Sequence, residues 1–212
     1  MELSNKMIKL GQNFAKSSNN DTESEDNAIV KALKIYTDKT FKVIAKINEI
    51  GLPQKNEQIR IITKSSFNAI AFIKYIVEFE IIEKIILSVY SMNFESATML
   101  DDLIKQKKII SAQILMSNLR NKAHREKEQL TNDLFIDNPN ISLFYANNHA
   151  KIISCKTDCN NFYTIEGSGN MSCNSRIEQY VIDNSQELYQ FNINWHEEIK
   201  EFLKDRKELV LK

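Results

Sequence analysis

The sequence predicts a mixed α/β domain whose largely parallel sheet is flanked by helices on both faces, with a helical extension at its N-terminus. From Ile59 onward, short runs of apolar and β-branched residues alternate with longer amphipathic stretches, a pattern typical of strands joined by helices. Several apolar runs follow one another closely after Ile141, which indicates an antiparallel hairpin region within the sheet. The chain has only 4 glycines and 2 prolines, so we expect few tight turns.

The first 56 residues are predicted to be an extension of a domain that covers residues 57–212. Residues 17–26 (SSNNDTESED) have no apolar side chain, so this stretch cannot bury enough surface to order itself and is predicted to be a flexible acidic linker. Residues 27–50 are predicted to be helical from the spacing of their apolar side chains. Within them, Phe41–Ile47 also alternates as a strand would.

The remaining elements follow in order along the chain. The predicted strands are short runs rich in apolar or β-branched residues: Ile59–Thr63, Lys84–Ser91, Ala112–Met116, Ile141–Ala146, Ala150–Ser154, Phe162–Ile165 and Ile177–Ile182. The predicted helices have apolar residues on one face: a stretch capped by Ser65 and Ser66 that runs through Phe79, then Phe94–Lys107, Leu119–Phe135 and Gln186–Lys204. Gly167–Asn174 is predicted to be a turn.

Composition excludes some functional classes. Lys plus Arg number 28 and Asp plus Glu number 28, so the chain does not coat nucleic acid by bulk charge, although a local basic patch remains compatible with this balance. The longest apolar run, Ala69–Ile73, is far shorter than the roughly 20 residues that span a bilayer. The first sixteen residues lack the apolar segment of a signal peptide. We therefore expect a cytoplasmic protein without membrane insertion.

The cysteines favour a reducing compartment and do not predict a metal site. Cys155, Cys159 and Cys173 are three in number and cannot all pair within one chain. A zinc site built from them and His149 is the alternative. Structural zinc ligands usually come as close pairs on both sides of the site, which this spacing does not provide. No metal is expected.

The segment that carries chemistry is Asn147–Glu178. It begins with His149-x-Lys151, in which an imidazole and an ammonium project together if the segment is extended. A cation beside a histidine favours the neutral, nucleophilic imidazole and can also bind phosphate. Gly167-Ser168-Gly169-Asn170 follows a second predicted strand. Its glycines let the backbone approach a ligand closely, and its polar side chains can donate hydrogen bonds.

In this order these residues resemble the HKD motif of the phospholipase D superfamily. That motif runs His-x-Lys, four residues, Asp, about six residues, Gly-Ser-x-Asn and then a downstream acid, which here is Glu178. The resemblance covers about residues 57–206 and implies a phospholipase D-like fold. The sequence departs from the motif at its Asp, because Lys156 stands there and Asp158 follows two residues later. A small change in the hairpin would let Asp158 take that place; a degenerate site is the alternative.

The resemblance implies a phosphodiesterase that needs neither a metal nor another cofactor. His149 would attack phosphorus to give a covalent phosphohistidine, which water then hydrolyses. Lys151 and Asn170 would bind the non-bridging oxygens, with assistance from Ser168. Glu178 would orient the imidazole and offset the charge that it acquires. A second histidine must protonate the leaving group, and in the superfamily it comes from a second HKD copy.

This chain has no second copy of the motif, because neither His124 nor His196 begins a His-x-Lys sequence. The sequence therefore predicts a homodimer in which two His149 side chains face each other. The small bacterial single-motif nucleases of the superfamily work in this way, so we expect a nuclease, with DNA favoured over RNA. Residues 121–127 (NKAHREK) are a candidate basic rim for the nucleic-acid backbone. The alternatives are a phospholipase or phosphatidyltransferase, or a non-catalytic dimeric scaffold or nucleic-acid-binding protein.

Overall fold

The structure of the chain is a computed structural model, and it describes residues 30–36, 51–63, 67–118, 122–136, 138–172, 176–205 and 210–211. The predicted linker at residues 17–26, the alternating segment Phe41–Ile47 and the predicted capping residues Ser65 and Ser66 lie outside them. No helix within the described part of the chain is both long and apolar enough to cross a membrane.

The described residues form one mixed sheet with four helices. The strands are β1 (Val30–Tyr36), β2 (Gln58–Thr63), β3 (Ile82–Val89), β4 (Ala112–Ser117), β5 (Ile141–Ala146), β6 (Ile152–Thr157), β7 (Phe162–Gly167), β8 (Glu178–Asn184) and β9 (Val210–Leu211). The helices are α1 (Ile70–Ile76), α2 (Phe94–Lys105), α3 (Lys122–Phe135) and α4 (Gln186–Asp205). Across the sheet the strands run in the order β1-β2-β8-β7-β6-β3-β4-β5-β9.

The sheet is mixed, as the sequence predicts, with fewer parallel neighbours than we expected. In the described part of the sheet β1 is parallel to β2, and β3, β4 and β5 are parallel to one another. The other neighbouring pairs are antiparallel. The strands β6, β7 and β8 follow one another through loops without helices, and connections of this length cannot supply the crossover that parallel pairing requires.

Helices cover both faces of this sheet, and the core is divided accordingly. Along β4, Ile114 and Met116 belong to the large apolar cluster that also contains the buried side chains of α1 and α2. Leu115 points to the other face, where it packs with Phe144 and with Leu203 of α4. This alternation is the period-2 geometry of a strand that is buried on both faces.

The N-terminal part of the predicted helix at residues 27–50 is wrong, because Val30–Tyr36 is the strand β1. It pairs in parallel with β2, with Leu33 opposite Arg60 and Tyr36 opposite Thr63. Apolar spacing in so short a segment fits either a helix or a strand. The unpaired backbone groups on the edge of β2 favour the strand, since an adjacent strand can pair with them and a helix cannot.

Two predicted boundaries are also displaced. Helix α1 begins at Ile70, later than expected, and the backbone N–H of Ile70 donates to Asn68 Oδ1 at 3.1 Å. Strand β6 begins at Ile152, two residues later than expected, so His149 and Lys151 precede the strand. The motif therefore lies in a loop at the end of the sheet where the parallel strands β3, β4 and β5 terminate.

Candidate active site

Asn148 fixes the loop that carries the first half of the motif. Its Nδ2 donates to the carbonyl of Val89 at 3.2 Å, at the end of β3, and lies 3.4 Å from the carbonyl of Leu115 in β4. Its Oδ1 accepts a hydrogen bond from the Ala150 backbone N–H at 2.9 Å. One side chain thus ties two strand ends together and turns the chain between them, which sets the position of His149.

His149 and Lys151 lie together, as the motif predicts. His149 is exposed and Lys151 is half-buried. Lys151 Nζ is 3.3 Å from His149 Nδ1 and donates to the His149 carbonyl oxygen at 2.9 Å. The ammonium therefore folds back over its own loop, next to the imidazole.

Tyr90, the residue after β3, contacts both of these side chains. Its ring centroid lies 4.9 Å from that of His149, with the two planes inclined at 56°. Lys151 Nζ lies 5.6 Å from the same Tyr90 centroid. Sequence analysis missed Tyr90 and Asn148, because both reach the site from positions that carry no motif signal.

The second half of the motif lies beside the first. The Gly167 backbone N–H donates to the Lys151 carbonyl at 3.3 Å, which joins the end of β7 to the start of β6. Gly169 lies against Tyr180 of β8, and a Cβ there would overlap the Tyr180 hydroxyl. Glycine is required because the loop passes directly over an aromatic side chain that is 2% exposed.

Ser168 and Glu178 form a hydrogen-bonded pair. Ser168 Oγ donates a short hydrogen bond to Glu178 Oε2 and accepts one from the Gln179 backbone N–H at 3.1 Å. Glu178 is 5% exposed, so its carboxylate is removed from water and depends on such donors. The structure shows Ser168 bonded to the acid, a contact that the sequence did not predict. The assistance of Ser168 in binding phosphate and the orientation of His149 by Glu178 stay predictions.

Asn170 ends the loop with a buried acceptor that has no partner among the described residues. Its Oδ1 is buried without a hydrogen bond, and the Tyr180 hydroxyl is in the same condition. The next residue, Met171, is held firmly, because its carbonyl accepts from the Asn93 backbone N–H at 2.9 Å. Asn170 is thus fixed near the site, and its predicted contact with a phosphate oxygen stays a prediction.

Burial and the Glu178 carboxylate shift the pKa of two side chains near the site. Burial lowers the pKa of Lys151, and the Glu178 carboxylate opposes that shift. Burial, followed by the same carboxylate, raises the pKa of Tyr180. An ammonium that is poorly solvated gains more from a phosphate oxygen than one that is fully hydrated, so the site is suited to an anionic substrate.

The two residues considered for the place of the motif Asp, Lys156 and Asp158, lie away from His149. Lys156 forms an ion pair with Glu83 of β3 at 2.6 Å. Asp158 lies in the turn between β6 and β7, where its Oδ1 accepts from the Ile81 backbone N–H at 3.0 Å. This turn is at the other end of β6 from His149, about 20 Å away for six residues of extended chain. Asp158 therefore does not take the place of the motif Asp in the site.

Two of the three cysteines considered for a zinc site, Cys155 and Cys159, are among the described residues and lie in β6 and in the turn after it. Cys155 is buried in the middle of β6, and Cys173 lies outside the described residues. Cys159 is in the β6–β7 turn, where its sulfur and the carboxylate oxygens of Glu80 and Asp158 lie within 4.8 Å of one another. Glu80 already accepts hydrogen bonds from Asn161 Nδ2 at 2.9 Å and from a threonine hydroxyl, so this group is explained by the hairpin itself.

Several solved structures are similar to the chain in fold. Nuc from Salmonella typhimurium, described as a phospholipase D family member, is 15% identical over 67% of this chain and 93% of its own, with a TM-score of 0.48. Yeast tyrosyl-DNA phosphodiesterase is 16% identical over 58% of this chain and 31% of its own, with a TM-score of 0.36. Phosphatidylserine synthase from Haemophilus influenzae Rd KW20 is 9% identical over 66% of this chain and 38% of its own, with a TM-score of 0.45.

No protein-family model and no curated protein sequence matches the chain. The chain spans nearly all of Nuc but about a third of the two larger proteins. Of these, Nuc is described as a member of the phospholipase D family, the family whose motif this sequence resembles.

Proposed function

We propose that the chain is a metal-independent phosphodiesterase, an endonuclease that cleaves nucleic-acid phosphodiester bonds through a phosphohistidine and whose active site is completed by a second copy of the chain. The observation that carries the proposal is the exposed His149 imidazole 3.3 Å from the Lys151 ammonium, beside the loop that holds Ser168 and Asn170. Attack at phosphorus requires a nucleophile, a cation and hydrogen-bond donors close together. Here these groups meet at the end of the sheet where β3, β4 and β5 terminate.

His149 attacks through Nε2, because Nδ1 lies beside the ammonium. A neutral imidazole has one N–H, so a lone pair on Nε2 places the proton on Nδ1. In the resting structure Lys151 Nζ can only donate, so its 3.3 Å contact makes Nδ1 the acceptor and places the imidazole proton on Nε2. An incoming phosphate draws Lys151 to its oxygens, which leaves Nδ1 able to carry the proton and Nε2 able to attack. Substrate binding and activation of the nucleophile are coupled in this way.

The reaction balances without a metal. The bond from Nε2 to phosphorus forms as the bond to the leaving oxygen breaks, and that oxygen takes a proton from a protonated histidine. Water then attacks phosphorus, the N–P bond breaks, and a proton of the water returns to the second histidine. Lys151 and Asn170 stabilise the oxygens on which negative charge develops, and Glu178 offsets the charge on the imidazole.

The second histidine comes from another copy of the chain. The sequence has 3 histidines in all. His196 lies in α4 and is 0% exposed, and His124 lies in α3 and begins no His-x-Lys sequence. The His149 of a second copy, placed across a two-fold axis, supplies the acid.

A lipid phosphodiester is the second candidate substrate, and one observation favours it. Ile177, which precedes Glu178, is 71% exposed, and Phe94, at the start of α2, is 52% exposed. Apolar side chains at the rim of a site suit an acyl chain, and they also suit contact with another protein molecule. The non-catalytic alternative is favoured by Lys156, which stands where the motif has Asp.

Cleavage in the absence of metal tests the proposal. The wild-type chain is incubated with supercoiled plasmid and single-stranded DNA in EDTA at increasing salt. We expect cleavage in EDTA that weakens with salt, and a loss of about a thousandfold or more in the His149→Ala variant. Lys151→Ala should lose activity as well. Lys156→Ala is the matched control. This lysine pairs with Glu83 away from the site, so the variant should cleave DNA at the wild-type rate.

Other results point elsewhere. Cleavage by His149→Ala at the wild-type rate, or cleavage that requires Mg²⁺, contradicts the proposal. Release of headgroup from phosphatidylcholine vesicles, with no DNA cleavage, supports the lipid candidate. Salt-sensitive DNA binding with neither activity supports the non-catalytic one.

A further inference from the structure

Tyr90 is placed to contact the two motif side chains by the pairing of β3 with β6. In that antiparallel pair Ser88 is opposite Ile152, so the residue two positions after Ser88 reaches the loop that contains His149 and Lys151. Asn148 reinforces this approach, since it donates to the carbonyl of Val89, the residue before Tyr90. The backbone of the loop and the backbone that carries Tyr90 are therefore held together.

The Tyr90 ring, the His149 ring and the Lys151 ammonium form a mutual contact. The two rings are 4.9 Å apart at their centroids and inclined at 56°, within the range of favourable aromatic pairs. The ammonium is 5.6 Å from the Tyr90 centroid, within the distance of a cation–π contact. The same ammonium is 3.3 Å from the imidazole, so each of the three groups restricts the other two.

Both motif side chains need such a restriction. His149 is exposed, and its imidazole would otherwise turn freely about the side-chain bonds. Lys151 has a long, flexible side chain that loses rotamer entropy when it is fixed in one position. A rigid ring that touches both groups confines them before the substrate arrives, which removes that cost from the reaction.

We infer that Tyr90 is a positioning residue, whose aromatic ring holds the His149 imidazole and the Lys151 ammonium in the arrangement that receives a phosphoryl group. The inference rests on the proposed function for its kinetic consequence only. The aromatic ring of Tyr90 provides this restraint, because the contacts with His149 and Lys151 are both made through it. Tyr90 does not touch the reacting atoms.

The test compares variants that keep the ring with variants that keep only its bulk. Tyr90→Phe retains the ring, whereas Tyr90→Leu and Tyr90→Met retain apolar volume without a π face. We expect kcat of the two aliphatic variants to fall about tenfold, the size of one cation–π and one aromatic contact together, and Tyr90→Phe to stay near wild type. Phe79→Leu is the matched control, since Phe79 is 61% exposed at the other end of β3.

Two readouts do not depend on catalysis. In NMR spectra the Tyr90 ring current should shift the His149 ring protons, and this shift should persist in Tyr90→Phe and disappear in both aliphatic variants. Inorganic phosphate, titrated into each protein, should bind about fivefold more weakly to the aliphatic variants because their lysine is no longer confined. Having two aliphatic variants of different shape guards against one that fails to fold.

The outcomes separate this inference from the proposed function. Equal kcat in all four proteins, with unchanged His149 resonances and phosphate affinity, overturns the positioning role. If no version cleaves a phosphodiester but the resonance shift and phosphate affinity change as expected, the proposed function fails and the positioning role stands.

Discussion

Glu178 is a carboxylate in a nearly closed environment, and its charge acts on a neighbour as well as on Ser168. It is 5% exposed and accepts a hydrogen bond from the Ser168 hydroxyl. Burial lowers the pKa of Lys151, and the Glu178 carboxylate is the group that opposes this effect. Since the ammonium must be charged to bind phosphate oxygens, this single buried acid helps to keep Lys151 in its binding form.

Glu178→Gln should therefore lower the pKa of Lys151. Lys151 is charged below its pKa, and without the carboxylate the lowering by burial is unopposed. The measurement is an NMR titration of the Lys151 side chain, with Glu187→Gln on α4 as the control. A Lys151 pKa that stays in place would show that Glu178 does not act on Lys151.

Helix α4 covers one face of the sheet and contains a histidine that plays no part in the site. His196 is 0% exposed, lies 3.2 Å from Gln113 Nε2 through its Nδ1, and packs against Phe144 and Trp195. Burial, with a contribution from Lys84 and Lys200, lowers the pKa of His196 to about 4, although a contact with the Leu87 backbone opposes the shift. It is a neutral core residue at neutral pH.

His196 makes the docking of α4 sensitive to acid. Its pKa is about 6.5 when unfolded and about 4 when folded, so between these values the unfolded chain binds more protons and stability falls as the pH falls. From pH 7 to pH 5 this one group costs roughly 2 kcal/mol of unfolding free energy.

The His196→Gln variant, which keeps an acceptor for Gln113, should lose less stability than wild type over the same interval. Urea unfolding followed at pH 7 and at pH 5 in both proteins measures the difference. Identical losses in the two proteins would mean that His196 does not titrate between them.

At the scale of the whole molecule, the question is how the exposed His149 at the end of the sheet becomes part of a complete active site. The described residues bring one set of motif side chains together. A site that takes one histidine from each of two copies has a quantitative signature in mixtures of active and inactive chains.

In subunit mixtures of wild type and His149→Ala, activity should follow the square of the wild-type fraction. Only a pair of wild-type chains has both histidines, so an equal mixture that has exchanged subunits should retain about one quarter of the activity. Mass measurement in solution should show two copies. A linear dependence, or a monomeric mass in an active sample, would mean that each chain works alone.

The sequence by itself determined which residues could carry the chemistry and the broad class of fold. The order His149, Lys151, Gly167–Asn170 and Glu178 is readable because a strand period and short loops keep these positions at one end of a sheet. The periodicity of α2, α4 and the central strands is likewise a local property, and the structure confirms these elements within a few residues.

Tertiary structure decided what the local pattern leaves open. Whether residues 30–36 form a helix or a strand depends on the free edge of β2, and where His149 points depends on Asn148 bonding to the ends of β3 and β4. Tyr90 enters the site only through the pairing of β3 with β6, and Asp158 is excluded from it by the length of β6. These outcomes rest on contacts between residues far apart in the chain, which periodicity and spacing do not encode.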